Sequence, residues 1–305
     1  MTLIKLFSLP IFIGVGLGIL FPYHSLSMTW ISSLLLFLLL FLNTLAVDKE
    51  KLGFSRERWT LWIHGLWIQP LIFIFIPVIC TALALLLLKD RDFIFGVTVA
   101  SLAPAAFVNP FFARHRGGDV GLALAAVLLS TFLCPFVTVP VLRFSDLAPV
   151  FLDARFLLLY LVLLTTLPVG LSWLVTRIWP GWTQRTQSFL PLANSLILAT
   201  LMFILVGSAL LRVPLRLLLD EQFVYLTLIF VFMDFGVFVL ARFAARQFLN
   251  PEMAESVTLS VACRNFAVSS TLMLIFHPKA ALPSAVGLVV HSFFFQWLLF
   301  RAREK

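Results

Sequence analysis

The sequence has 305 residues, of which 61% are hydrophobic and 12% carry a charge, and its mean hydropathy is +1.06. A soluble domain carries about 25% charged residues, so much of this apolar surface must face lipid rather than a core. At about 20 residues per membrane span, the chain accommodates about ten helices with short loops and no soluble domain. The lipid bilayer is therefore an expected partner of this protein.

The formal net charge of +8 does not indicate nucleic-acid binding. The basic residues are scattered singly among the loops, and no basic block with interleaved aromatic residues occurs. The cysteines Cys80, Cys134 and Cys263 lie in apolar segments without CxxC spacing, which favours neither a disulfide framework nor a metal site. We expect no cofactor beyond a possible coupling ion, H⁺ or Na⁺, and no obligate protein partner.

Ten apolar segments are predicted to be spans. They cover about residues 6–22, 28–47, 61–88, 93–110, 120–142, 156–178, 190–211, 223–243, 256–276 and 281–300. Span 1 contains Gly14, Gly16 and Gly18, a spacing that predicts close approach of a neighbouring helix.

The basic residues of the loops predict the orientation of the spans. With ten spans, the side that holds both termini carries 14 of the 22 Lys and Arg residues, the opposite side carries seven, and Arg264 lies within the membrane. Basic loops favour the cytoplasmic side. We therefore expect a multi-pass protein of a bacterial inner (plasma) membrane with both termini in the cytoplasm.

Two polar stretches interrupt predicted spans. Residues 101–110 (SLAPAAFVNP) fall in span 4, and residues 261–270 (VACRNFAVSS) fall in span 9. An arginine at the depth of Arg264 costs at least about 2.5–3.5 kcal/mol in lipid, so its side chain must face protein or water. Polar groups at mid-membrane need partners that lipid does not supply, which predicts that both helices are unwound there.

The two interruptions occupy corresponding positions. Each lies in the fourth span of a five-span half, and an odd number of spans per half inverts one half relative to the other. The predicted fold is therefore an all-α polytopic membrane protein built from two inverted five-helix repeats, residues 1–145 and 146–305, in one membrane domain. Paired broken helices in inverted repeats indicate a secondary transporter whose substrate binds near the midplane.

The residues around both interruptions carry a family likeness. Residues 118–123 (GDVGLA), followed by Ser130, Thr131 and the Cys-Pro pair at 134–135, resemble a conserved run of the bile acid:sodium symporter family. Residues 262–267 (ACRNFA) and 276–283 (FHPKAALP) resemble that family's second motif. The likeness spans essentially the whole chain, and the arsenite and auxin carriers share the general layout.

The resemblance implies a sodium site at the crossing of the two broken helices, but several of its ligands are replaced here. The crossing asparagines correspond to Asn109 and Asn265, whereas the family's glutamate falls on Ser260 and its glutamine ligand on Arg264. The hydroxyls that would complete the sodium shell fall on Ala123 and Val127. A hard cation needs about six oxygen ligands, so most of the expected set is missing.

A guanidinium cannot replace the sodium-binding amide, because it is permanently charged and presents five donors and no acceptor. Arg264 could satisfy the carbonyl groups of the unwound segments, or it could bind a carboxylate or sulfonate bidentately. We therefore expect transport of a small organic anion, independent of sodium or coupled to protons. The candidate binding residues are Arg264, Asn265, Asn109, Ser260, Ser101, Thr131, Ser130 and Asp234.

Asp234 is the one carboxylate at mid-membrane depth in the sequence. One interpretation is a structural counter-ion for Arg264 or for a loop arginine. The other is a proton-coupling carboxylate, because burial favours the neutral form of a carboxyl group. His291, in span 10, is expected to be a packing residue.

Other function classes fit less well. An intramembrane enzyme is not expected, because the sequence contains no GxSxG, no HExxH and no acidic pair at mid-depth. A sodium-coupled symporter with a remodelled ion site and a non-transporting membrane sensor or scaffold remain as alternatives. A channel would use the same polar centre, and saturable flux would separate a carrier from it.

Overall fold

The computed structural model describes residues 2–22, 26–45, 56–144, 153–179, 189–211 and 220–302, and nearly all of them are helical. The helices are α1 (Thr2–Leu20), α2 (Leu26–Leu45), α3 (56–87), α4 (Arg91–Ser101), α5 (Asn109–Arg116), α6 (Val120–Phe144), α7 (154–178), α8 (Leu190–Leu210), α9 (221–248), α10 (Pro251–Ala262), α11 (Phe266–Phe276) and α12 (Ala281–Ala302). The all-α prediction is confirmed. The predicted repeat boundary at 145/146 lies outside the described residues.

Seven of the described helices are long and apolar enough to cross a membrane: α2, α3, α6, α7, α8, α9 and α12. The other predicted spans are span 1, whose described apolar part is Leu9–Leu20, and the two interrupted spans. Each interrupted span forms two short helices, α4 with α5 and α10 with α11, so neither half alone has the length of a span. Large apolar side chains, among them Trp67, Leu86 and Phe248, are exposed on the outer surface, as lipid contact requires.

Three of the long helices contain a π-helical turn. The turns in α3 (Leu71–Phe75) and α7 (Val162–Thr166) are each followed two residues later by a proline, Pro77 and Pro168 respectively. A proline lacks the amide proton of the helical ladder and clashes with the preceding turn, and one extra residue in the turn relieves both problems. The turn in α9 (Phe232–Gly236) contains no proline and includes Asp234.

Helices α1, α2, α7 and α8 pack chiefly on one another, and the closest pair is α1 with α8. A Cβ atom at Gly14 would overlap the Ala199 carbonyl oxygen of α8, and one at Gly18 would lie 2.9 Å from the Phe203 oxygen. The predicted close approach is therefore confirmed at these two glycines. It is wrong for Gly16, where nothing lies within 4 Å, because that glycine faces away from α8.

A Gly14→Ala substitution should lower the melting temperature of the purified protein, because overpacking against a backbone costs about 1–3 kcal/mol. Gly16→Ala is the matched control. It should leave stability equal or higher, since alanine is better than glycine in a helix by roughly 0.5–1 kcal/mol. Equal destabilisation by both substitutions would contradict the packing of α1 on α8.

Ion pairs fix the broken helices at both ends. At one end, the Lys279 ammonium lies 2.7 Å from the Asp90 carboxylate and joins the start of α4 to the turn after α11. At the other end, the buried Glu255 carboxylate of α10 receives Arg116 from α5 and Arg242 from α9, the latter at 3.3 Å. The helices that carry the two interruptions are thus anchored to their neighbours on both sides.

Candidate functional site

Both predicted interruptions are present in the structure. Helix α4 ends at Ser101 and α5 begins at Asn109, while α10 ends at Ala262 and α11 begins at Phe266. The first break contains Pro104 and is followed by Pro110 in the first turn of α5, a position that tolerates proline. The second break, Cys263 to Asn265, is shorter and has no proline.

The two breaks cross and pair through their backbones. Ala105 and Arg264 form an isolated antiparallel bridge. The Ala106 amide donates to the Cys263 carbonyl at 2.9 Å, and the Asn265 amide donates to the Pro104 carbonyl at 2.8 Å. The unwound segments therefore supply each other with hydrogen bonds that lipid would not.

The crossing brings four helix termini together. The C-terminal ends of α4 and α10 carry partial negative charge, and the N-terminal ends of α5 and α11 carry partial positive charge. The residues at these four ends, among them Ser101, Asn109, Ala262 and Phe266, are buried. Such a centre can bind an ion or an ionised group of a substrate.

Arg264 lies at this crossing with its side chain 1% exposed. Its Nη1 donates to the Ala103 carbonyl of the first break at 3.0 Å. Its Nε and Nη2 are buried and have no hydrogen-bond partner among the described residues. The predicted role in satisfying an unwound carbonyl is therefore observed, and further donors of the same guanidinium remain for a second acceptor.

The two crossing asparagines contribute differently. Asn109 is fully buried, its Nδ2 donates to the Cys263 carbonyl at 3.4 Å, and its Oδ1 has no partner within the described residues. Asn265 is partly buried and contributes its backbone amide to the crossing. Ser260, one turn before the second break, is buried with its hydroxyl unpartnered by any described residue.

The candidate hydroxyl groups of Ser130, Thr131 and Ser101 form hydrogen bonds with backbone groups. Ser130 of α6 accepts the Ala105 amide at 3.0 Å and donates to the Val127 carbonyl at 2.9 Å, so it supports the first break directly. Thr131 donates to the Val127 carbonyl of its own helix, and Ser101 donates to the Thr98 carbonyl of its own helix. The structure therefore brings Ser130 to the crossing, whereas the Thr131 and Ser101 hydroxyls bond within their helices.

Asp234 makes no direct ion pair with Arg264, so the direct pairing considered from the sequence is not observed. Its Oδ1 instead lies 2.8 Å from the Nδ1 of His291, because the π-turn of α9 faces α12 at this level. Both side chains are buried, and Arg264 acts on Asp234 through its charge. His291, expected to be a packing residue, is therefore the direct partner of the buried carboxylate.

Sequence reasoning also missed the pairing of Glu255 with Arg116 and Arg242. These residues are separated by many positions along the chain and belong to three helices. Glu255 lies just outside the predicted span 9, and its charge gave no signal of burial. The Asp234–His291 pair had one available signal, namely that both ionisable residues fall at mid-depth of predicted spans.

The residues at the crossing do not fit a resident sodium ion. Of the polar side chains there, Arg264 presents donors alone and carries the charge that repels a cation. The unpartnered oxygens among the described candidates are those of Asn109, Ser260 and Asp234, and the Asp234 carboxylate is already bound to His291, so fewer oxygens are available than the six or so that a hard cation takes. No step that depends on sodium is therefore assigned to this centre.

The comparison with known proteins agrees with this architecture. The chain matches the model of the SBF-like CPA transporter family, bile acid:sodium symporter-like proteins, over residues 5–295. No curated protein matches the sequence. The match covers nearly the whole chain and confirms the resemblance read from the two motifs. The chain therefore belongs to the SBF-like CPA transporter family of membrane transporters.

Proposed function

We propose that this membrane transporter moves a small organic anion across the bacterial inner membrane by alternating access, and that it does so without sodium. The observation that carries the proposal is the buried Arg264 guanidinium at the crossing of two broken helices. One of its nitrogens is bound to the Ala103 carbonyl, and two others have no partner among the described residues.

The chemistry of the crossing favours an anion. A guanidinium binds a carboxylate or sulfonate through two parallel hydrogen bonds, and these are about twice as strong as neutral ones. The N-terminal ends of α5 and α11 add partial positive charge at the same place. Asn109 and Ser260 offer further polar atoms for the remaining groups of a substrate.

The packing of the helices supports alternating access. Helices α1, α2, α7 and α8 form one group, and the helices that carry the crossing form the other. We propose that these groups rock against each other around the crossing, as in carriers built from inverted repeats. The ten-span arrangement with repeats 1–145 and 146–305 and both termini in the cytoplasm belongs to this proposal.

The test is a thermal-shift screen of the purified protein against benzoate, benzenesulfonate, cholate and taurocholate, each measured in sodium and in choline buffer. An anion that binds the folded state raises the melting temperature. At a concentration of 100 times its Kd, it adds about 2.7 kcal/mol to the free energy of unfolding. We expect the same shift in both buffers, and equal initial rates of uptake into proteoliposomes in both.

The alternatives give different results in this experiment. A shift and an uptake rate that depend steeply on sodium would indicate a sodium-coupled symporter with a remodelled ion site. Anion binding without uptake would indicate a sensor or scaffold. Non-saturable flux would indicate a channel. Each of these outcomes would overturn the proposed function.

A further inference from the structure

The buried Asp234–His291 pair, hereafter the dyad, has no part in the anion site described above. Asp234 lies in the π-turn of α9 with 0% exposure, and His291 lies in α12 with 4%. Their Oδ1 and Nδ1 atoms are 2.8 Å apart. The Oδ2 of Asp234 and the Nε2 of His291 are buried without a hydrogen-bond partner among the described residues.

Aromatic rings and charged groups surround the dyad. Rings of Phe266, Phe294 and Phe295 enclose the imidazole, with the Phe295 centroid at 4.0 Å. The charged and titratable groups that interact with Asp234 are Cys80 from α3 and, from the second break, Cys263 and Arg264, whereas Arg116 of α5 and Glu255 of α10 interact with Cys263. Glu255 is already paired with two arginines, so Arg264 is the free charge that acts on Asp234.

The charges of this buried centre balance when Asp234 is ionised and His291 is neutral. Ionised Asp234 with neutral His291 carries −1, and Arg264 carries +1. A bound organic anion adds another −1 in a medium where an uncompensated charge is strongly unfavourable. One proton on the dyad would restore neutrality.

We propose that the dyad takes up one proton for each anion bound at Arg264, so that transport is an electroneutral proton–anion symport. This rests on the proposed function. In the empty state, the Nδ1–H of neutral His291 donates to Asp234. Anion binding is accompanied by transfer of a proton from water to the Nε2 of His291, which gives an imidazolium hydrogen-bonded to the carboxylate. Release of the anion on the other side returns that proton to water.

The geometry makes opposite predictions for the two members of the dyad. Asp234→Asn removes the −1 of the dyad, so anion binding should stay tight at the alkaline end of the pH range, where wild-type binding weakens. His291→Gln keeps a donor toward Asp234 but removes the proton acceptor. The dyad then carries −1 wherever the carboxylate is ionised, and anion binding should be weaker there than in the wild type. A merely structural pair would weaken binding in the same direction when either member is changed.

The experiment measures binding of benzenesulfonate and taurocholate, which stay ionised, from thermal shifts between about pH 5 and pH 9. We expect wild-type affinity to fall as the pH rises, by up to about tenfold per pH unit, since one proton is linked to binding. His115→Gln, which removes an exposed histidine, is the matched control and should retain the wild-type pH dependence.

Titration calorimetry of the wild-type protein in buffers of different ionisation enthalpy measures the linked protons directly, and it needs no variant to fold. One proton taken up per anion would support the proposal. Binding of the sulfonates without proton uptake would overturn the symport and leave the anion carrier intact. Failure of every anion of the thermal-shift panel to bind the wild-type protein would overturn the anion carrier and the symport together.

Discussion

Replacing Arg264 with glutamine should abolish anion-dependent stabilisation and anion uptake while the protein still folds. The glutamine amide can donate to the Ala103 carbonyl in place of Nη1, so the contact between the two breaks is kept. The positive charge and the bidentate donor pair are lost. Each charged hydrogen bond is worth about 1.5–3 kcal/mol, so the Kd for the anion should rise at least about 100-fold.

Two further variants make this result specific. Arg264→Lys keeps the charge but lacks the planar fork, so its affinity should lie between those of the wild type and Arg264→Gln. Arg143→Gln, which removes an exposed arginine of α6, should bind the anion as the wild type does. Unchanged anion affinity in Arg264→Gln would show that the guanidinium is not the anion site.

The same substitution tests the charge balance of the buried centre. Arg264→Gln leaves ionised Asp234 without its compensating charge, which should lower the melting temperature in the absence of any anion. Adding Asp234→Asn removes the stranded charge, so the double variant should melt higher than Arg264→Gln alone. Additive effects of the two substitutions would indicate that these residues do not act on each other.

Glu255→Gln should destabilise the protein severely. The Glu255 carboxylate is 5% exposed and binds the 4% exposed Arg116 side chain and the partly exposed Arg242 at 3.3 Å. Removing one partner of a buried ion pair costs about 3–5 kcal/mol, because the remaining charge stays buried without compensation. Here two guanidinium groups, both close to the Phe238 ring, would be left without their shared carboxylate. The melting temperature in detergent is the measurement.

An exposed ion pair supplies the control for this prediction. Lys89 and Glu221 are 2.9 Å apart and mostly exposed, and the hydrogen bond and charge of Glu221 raise the pKa of Lys89. Solvent screens such a pair, so Glu221→Gln should leave the melting temperature close to that of the wild type. Equal losses in Glu221→Gln and Glu255→Gln would contradict the assignment of Glu255 as a buried anchor of α10.

The positions of the two breaks could be read from the sequence, because the polar residues at 101–110 and 261–270 are incompatible with lipid wherever the chain folds. The burial of Arg264 follows from the energetic cost of a charged group in lipid, and this residue is 1% exposed in the structure. The roles of the hydroxyls could not be read in this way. Ser130 and Thr131 are adjacent in sequence, and only Ser130 contacts the first break.

The roles of the three glycines of α1 could not be read from the sequence alone either. Their spacing indicates that a helix can approach closely, but the side of α1 that α8 occupies decides which of them are needed. Gly14 and Gly18 face α8 and Gly16 does not. The π-turns of α3 and α7 follow from local prolines, whereas that of α9 contains Asp234 and no proline.

The sequence by itself determined that this protein is a helical membrane protein with two broken helices and a buried cation, and it carried the motifs of the family. These follow from hydropathy and from the energetic cost of polar groups in lipid, which act on each segment separately. Only the tertiary structure decided which charged side chains pair with each other. Asp234 meets His291 rather than Arg264, and Glu255 meets Arg116 and Arg242. Pairing between side chains on different helices depends on how those helices are rotated and placed, and no single segment encodes that.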